Sequence, residues 1–221
     1  MEDSFAQYLL QKNKDNYDLI AENFSATGSH LWPDLIQFKD WVEDGDHVID
    51  LGCGNGRLLD LFNDKDIFYV GLDSSPRLIK IAQKEHPDYE FIIGDITEVT
   101  FPTDTFDKAF AIAFLHHIPS EVNRLNILAE TRRILKPAGL LFLTVWAPTP
   151  QNQPKFFKKS KKIGAGDFIY SWGGREDLYY HLFKPKELIR LTRKAGLDII
   201  QQGKLGERTT RKNFYLLAQK T

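Results

Sequence analysis

The sequence predicts an α/β fold, a parallel sheet with helices on both faces, and three observations predict it. Short apolar runs alternate with stretches of helical periodicity along most of the 221 residues. The run Val48-Ile49-Asp50-Leu51 passes straight into Gly52-Cys53-Gly54-Asn55-Gly56, a strand entering a glycine-rich turn. Turn residues recur at the ends of later apolar runs, at Asp73, at Gly94-Asp95 and at Pro137-Ala138-Gly139. Ligands of such sheets sit beyond the carboxyl ends of the strands, so Gly52, Asp73, Asp95 and residues 114–117 are expected to converge.

The elements follow in order. Residues 34–42 place Leu35, Phe38, Trp41 and Val42 near one helical face, and residues 47–51 form the strand before the glycine turn. A helix is expected from Arg57, then a strand from Phe68 to Leu72 that ends at Asp73. Ser75 caps the next helix, with Pro76 at its first position and its end near Lys84. Strands are expected at 89–93 and 106–115, followed by a helix that Ser120 caps and that reaches Leu135, and a strand at 140–146. Residues 1–33 read as N-terminal cap helices. Residues 147–183, rich in proline and glycine over their first part, read as an excursion covering the site. A helix over 185–195, ended by Gly196, and two final strands complete what reads as a single domain over 1–221.

The glycine turn carries the first functional signal. Glycine removes the Cβ that would block a ligand and tolerates φ > 0, so the turn is expected to bring backbone N–H groups and a helix N-terminus against a nucleotide-like cofactor. The dinucleotide fingerprint needs glycine or alanine at position 57, where Arg57 stands, which argues against NAD. Asp73 lies at the end of the second strand, where a carboxylate accepts from both ribose hydroxyls, and Asp95 is placed to accept from an exocyclic amine. A lone cysteine, Cys53, excludes an internal disulfide and a multi-cysteine zinc site, so no metal is expected. No N-terminal apolar run resembles a signal or spanning segment, which points to a cytoplasmic protein with no membrane contact.

A net charge of −1 hides an uneven distribution. Residues 1–73 carry 5 Lys/Arg against 15 Asp/Glu, whereas residues 151–221 carry 16 against 6. Such a basic third suits a polyanion. Its sharpest cluster is Lys155, Phe156, Phe157, Lys158, Lys159, Lys161 and Lys162, where aromatic residues stand beside cations as in single-strand nucleic-acid binders.

Over nearly its full length the chain resembles the class I S-adenosylmethionine methyltransferases. Asp50-Leu51-Gly52-Cys53-Gly54-Asn55-Gly56 is similar to their first motif, Gly71-Leu72-Asp73 to the ribose acid, Gly94-Asp95-Ile96 to the adenine site, and Leu135-Lys136-Pro137-Ala138-Gly139 to the turn before the fifth strand. The resemblance implies a Rossmann-like, seven-stranded, mostly parallel sheet whose last strand, 213–219, is antiparallel. It also implies S-adenosyl-L-methionine as cofactor, held by Asp50, Gly52, Gly54, Gly56, Asp73, Ser74, Asp95, Ile96 and Ala113.

The covering segments carry a narrower likeness. Residues 17–21, 24–27, Trp32-Pro33, 112–117, 145–147 and 179–183 resemble the Trm9/ALKBH8 methyltransferases, which esterify the carboxylate of carboxymethyluridine at the tRNA wobble position. The likeness implies tRNA as partner and substrate, a small zinc-binding activator of the Trm112 kind, and a reacting centre formed by His117, Tyr17, Tyr180 and His181. Gly28 and Leu178 stand where that family carries arginine. Lys158, Lys159, Lys161, Lys162, Arg175, Arg208, Arg211 and Asn213 are then the expected tRNA contacts, with Arg175, Arg208 or Arg211 supplying the missing cation. Methylation of a small-molecule acid, and a non-catalytic tRNA-binding or partner subunit, remain open at this point.

Overall fold

The computed structural model describes residues 1–27, 33–98, 100–147, 149, 151, 153–172, 176–206 and 213–221. Gly28, Trp32, Arg175, Arg208 and Arg211 lie outside the described residues. In chain order the strands are β1 (His47–Leu51), β2 (Phe68–Asp73), β3 (Glu90–Ile93), β4 (Phe106–Ile112), β5 (Leu135–Trp146), β6 (Ser160–Lys162), β7 (Asp167–Trp172), β8 (Glu176–His181), β9 (Leu197–Leu205) and β10 (Asn213–Lys220). The α-helices are α1 (Asp3–Leu19), α2 (Ala21–Thr27), α3 (Pro76–Glu85), α4 (Glu121–Ile134), α5 (Pro154–Lys159) and α6 (Pro185–Lys194).

Seven strands form one sheet in the order β3-β2-β1-β4-β5-β10-β9, parallel from β3 to β5, with β10 antiparallel to both its neighbours. Strand alternation divides its side chains between two cores. Ile49, Leu51, Leu141, Leu143 and Val145 pack with Ile127 of α4 and Leu188 and Leu191 of α6. On the opposite face Val48, Tyr69, Phe110 and Phe142 pack with Ile79 of α3 and with Leu35, Phe38, Leu58 and Phe62. Burial on both faces explains why β1 and β4 read as nearly continuous apolar runs. The order reverses between β1 and β4, which opens a crevice at their carboxyl ends.

Several elements depart from expectation for local reasons. Residues 33–41 and 57–62 wind as 3₁₀ helices, not α-helices. Strand β4 stops at Ile112 because Ala113 turns into the left-handed region (φ 54°), its N–H held by Thr144 Oγ1 at 2.9 Å. The chain then tightens into a 3₁₀ turn at 115–117, which carries the two histidines across the strand ends.

The excursion is an ordered layer: α5 leads into an antiparallel sheet, β6-β7-β8. Phe156, expected beside the lysines as a stacking platform, is instead buried with Ile20, Leu178 and Tyr180 in a third core. Its ring is the apolar anchor of a six-residue helix too short to hold itself. Helix α1 closes the layer from the other side. Asn13 Nδ2 donates to the carbonyls of His117 (2.9 Å) and Tyr179 (3.3 Å), its Oδ1 accepts from the Tyr179 N–H (2.7 Å), and Asn16 Nδ2 donates to the Asp177 carbonyl (2.7 Å).

Candidate active site

A cavity of about 810 Å³ lies over the carboxyl ends of β1, β2 and β4 and continues beneath the three-stranded sheet. Its two ends differ in chemistry. One is lined by Asp50, Gly52, Gly54, Asp73, Asp95 and Ala113, the other by Trp146, Phe156, Tyr170, Leu178, Tyr180 and Asn213.

Gly52, Gly54 and Gly56 all have positive φ (72°, 58° and 78°), which residues with a Cβ rarely adopt. A Cβ at Gly52 would also run into the Phe114 ring. Most of the N–H donors expected to face the ligand are turned to the protein itself: Gly52 and Cys53 donate to the Leu72 carbonyl (2.8 and 3.1 Å), Gly54 to Asp73 Oδ2 (2.9 Å) and Gly56 to the Cys53 carbonyl (3.0 Å). These four donors are engaged within the protein, and the segment that follows is a 3₁₀ helix. The turn therefore offers a smooth, side-chain-free wall and not a phosphate cradle.

The acids supply the polarity. Asp73 accepts from Gly54 N–H and from Ser75 N–H (2.9 Å). Burial pushes its carboxyl above the usual range, against the pull of backbone bonds from Ser75, Gly54 and Ser74. Asp50, 3% exposed, accepts from the Tyr69 hydroxyl at 2.8 Å, and burial pushes it to about 7 despite that bond. Sequence reasoning missed Tyr69, although it stands one strand away in register with Val48. Asp95 Oδ1 accepts from both the N–H and the hydroxyl of Thr97 (2.8 and 2.6 Å). Ser74 and Ile96 also line this end. Three acids, a glycine wall and no free phosphate cradle suit a cationic nucleoside without phosphate.

Tyr17, His117 and Tyr180 meet at the middle of the cavity. Tyr17 Oη and His117 Nε2 are 2.9 Å apart, and His117 Nδ1 lies 3.2 Å from the Tyr179 carbonyl. A carbonyl only accepts, so Nδ1 carries the proton and Nε2 accepts from the phenol. Burial lowers His117 to about 4, against the carbonyl bond, and raises Tyr17, so both are neutral near pH 7. The His117 and Tyr180 rings lie 4.7 Å apart, and the buried His116 stacks on Tyr180 at 5.7 Å.

His181 does not join them. Successive side chains of β8 alternate, so Tyr180 faces the cavity while Tyr179 and His181 face away from it. His181 Nδ1 lies 2.7 Å from Asp167 and Nε2 2.8 Å from Glu187. Burial opposes its charge, yet these two carboxylates hold it above the ordinary histidine value. It bridges the two carboxylates and so joins β7, β8 and α6. Lys158, Lys159, Lys161 and Lys162 are exposed on α5 and β6, outside the cavity, whereas Lys155 lines it. Trp146, which sequence reasoning did not place among the site residues, packs edge-on against Phe156 (4.8 Å) and Tyr180 (5.4 Å). Among the described residues no three His, Cys, Asp or Glu side chains cluster as a metal site, and no helix is long and apolar enough to cross a membrane.

Comparison with known proteins adds an independent finding. The methyltransferase domain family matches residues 49–143. The tRNA (carboxymethyluridine(34)-5-O)-methyltransferase of Schizosaccharomyces pombe is 30% identical over 227 residues, covering 92% of this chain and 94% of that protein. The protein of the same name from Arabidopsis thaliana is 33% identical over 158 residues, but the chain covers only 38% of its length. A Methanosarcina mazei S-adenosylmethionine-dependent methyltransferase shares the fold with a TM-score of 0.74 at 23% identity, covering 86% of this chain and 98% of that one. A methyltransferase solved in complex with the Haloferax volcanii activator Trm112 does so with a TM-score of 0.74 at 21% identity, covering 94% and 96%.

Proposed function

The chain belongs to the family of the tRNA (carboxymethyluridine(34)-5-O)-methyltransferases, and from that membership we propose that it methylates the carboxylate of a carboxymethyl-modified wobble uridine in tRNA. The cofactor is S-adenosylmethionine, which supplies a methyl group on a sulfonium, an electrophile that needs no activation by an acid. Asp73 would hold the ribose hydroxyls, Asp95 and Ile96 the adenine, and Asp50, Gly52, Gly54, Ser74 and Ala113 the remaining wall. The observation that carries the reading is the continuity of one cavity from the glycine turn and Asp73 to the aromatic end at Trp146 and Tyr180.

The chemistry asked of the protein is modest. A carboxylate has a pKa of about 4 and is already ionised at neutral pH, so no base is required. His117 fits that picture, because its only lone-pair nitrogen is committed to Tyr17. The Tyr17–His117–Tyr180 group orients the acceptor and excludes water, effects that in oriented reactions supply roughly 7–11 kcal/mol. Lys155 brings a cation to the end where Leu178 is apolar.

A Trm112-like activator is the finer part of the proposal, supported by the Haloferax complex and by the resemblance of the covering segments. The test is incubation of the chain, alone and with such an activator, with labelled cofactor and tRNA bearing carboxymethyluridine. The expected product loses its label as methanol in mild alkali. Label retained on the nucleoside refutes ester formation.

A further inference from the structure

Asn213 is 4% exposed, lines the cavity, and its Oδ1 has no hydrogen-bond partner among the described residues. A buried acceptor left unpaired is costly, which marks it as awaiting a donor from outside the protein. Its place narrows what that donor belongs to. Asn213 pairs directly with Trp146 across the β10–β5 ladder, so the two side chains stand beside each other on one face of the sheet. Trp146 and Tyr180 meet edge-on at 5.4 Å, giving that end of the cavity flat apolar walls of the kind on which nucleobases stack.

We infer that Trp146, Tyr180 and Asn213 form a base subsite in which Asn213 Oδ1 accepts the N3–H of a uracil ring, making Asn213 the residue that selects uracil. The inference rests on the wobble-uridine reading and names the atom that recognises the base. Uracil presents an N–H at N3. Cytosine presents a lone pair there, which faces the Asn213 oxygen repulsively. A site built to receive a donor discriminates against a ligand that lacks it, because its own acceptor is then left unpaired.

The test uses the full-length chain and two anticodon stem-loop RNAs, one carrying 5-carboxymethyluridine and the other 5-carboxymethylcytidine, whose N3 presents a lone pair in place of the N–H at nearly unchanged shape. The wild type is expected to prefer the first in kcat/KM by about tenfold. Asn213→Ala should lose about that factor on the uridine RNA and treat both RNAs alike, with cofactor affinity by calorimetry unchanged. Equal use of the two RNAs by the wild type overturns the proposal whatever the variant does, as does a variant that still discriminates. If the wild type methylates neither RNA, the wobble-uridine reading fails and the subsite assignment fails with it.

Discussion

Asp73 accepts the Gly54 N–H at Oδ2 and the Ser75 N–H at Oδ1, and its two oxygens offer more lone pairs than the backbone takes up, so the carboxylate can brace the glycine turn and bind a ligand at once. Asp73→Ala should therefore weaken S-adenosylmethionine by roughly tenfold to a hundredfold, the worth of a charge-assisted bond of about 1.5–3 kcal/mol. Calorimetry on the folded variant reads it directly, and unchanged affinity removes Asp73 from the ribose. Asp50 gives a pH signature. Its folded value of about 7 lies above the unfolded value of 3.8, so its contribution to stability is full below pH 4 and is lost as pH rises toward and through 7. Asp50→Asn keeps an acceptor for Tyr69 but cannot ionise. Relative to wild type it should gain roughly 2–3 kcal/mol between pH 5 and pH 8, read from urea midpoints. The cofactor end was legible in the sequence because positive φ demands glycine locally and because acids at strand ends are in phase with the fold. Tyr69 was missed, and Asn213 was legible only as one of the expected tRNA contacts, since nothing near either in sequence reveals the partner that Tyr69 finds or the partner that Asn213 lacks.

At the scale of elements, the cavity roof depends on how α1 holds β8. Asn13→Ala leaves the Tyr179 N–H without its side-chain partner and frees two carbonyls, and should cost about 1–3 kcal/mol. The matching control is Gln11→Ala, which loses only an exposed bond to Asp15 and should stay within about 0.5 kcal/mol of wild type. Equal midpoints for the two variants would show that α1 is held by its apolar contacts alone. The sheet formed by β6, β7 and β8 was not legible, and the reason is physical. Ser160-Lys161-Lys162 has no apolar alternation, and in Tyr179-Tyr180-His181 every residue suits either face of a strand. Only pairing with β7 sets the phase that turns Tyr180 inward and His181 onto Asp167 and Glu187.

The whole molecule is electrically lopsided, acidic toward its start and basic toward its end, with Lys158, Lys159, Lys161 and Lys162 exposed just beyond the cavity. Replacing these four lysines together should weaken tRNA binding and flatten its dependence on salt, by about 0.7–0.9 log units per log unit of salt for each phosphate that is no longer neutralised. Fluorescence titrations across a salt series measure both, and an unaltered slope assigns the lysines to solubility. The way the roof is fastened has a consequence for how such a protein diversifies. Asn13 and Asn16 grip peptide groups of β8, at 177 and 179, and no side chain of that strand. Every amino acid supplies those groups, except proline at 179, which lacks the N–H. Exchanging Leu178 or Tyr180, which β8 turns toward the ligand, thus leaves that backbone grip in place so long as the replacement still packs against Ile20 and Phe156, and new acceptors become reachable by recutting one wall of a scaffold that stays put.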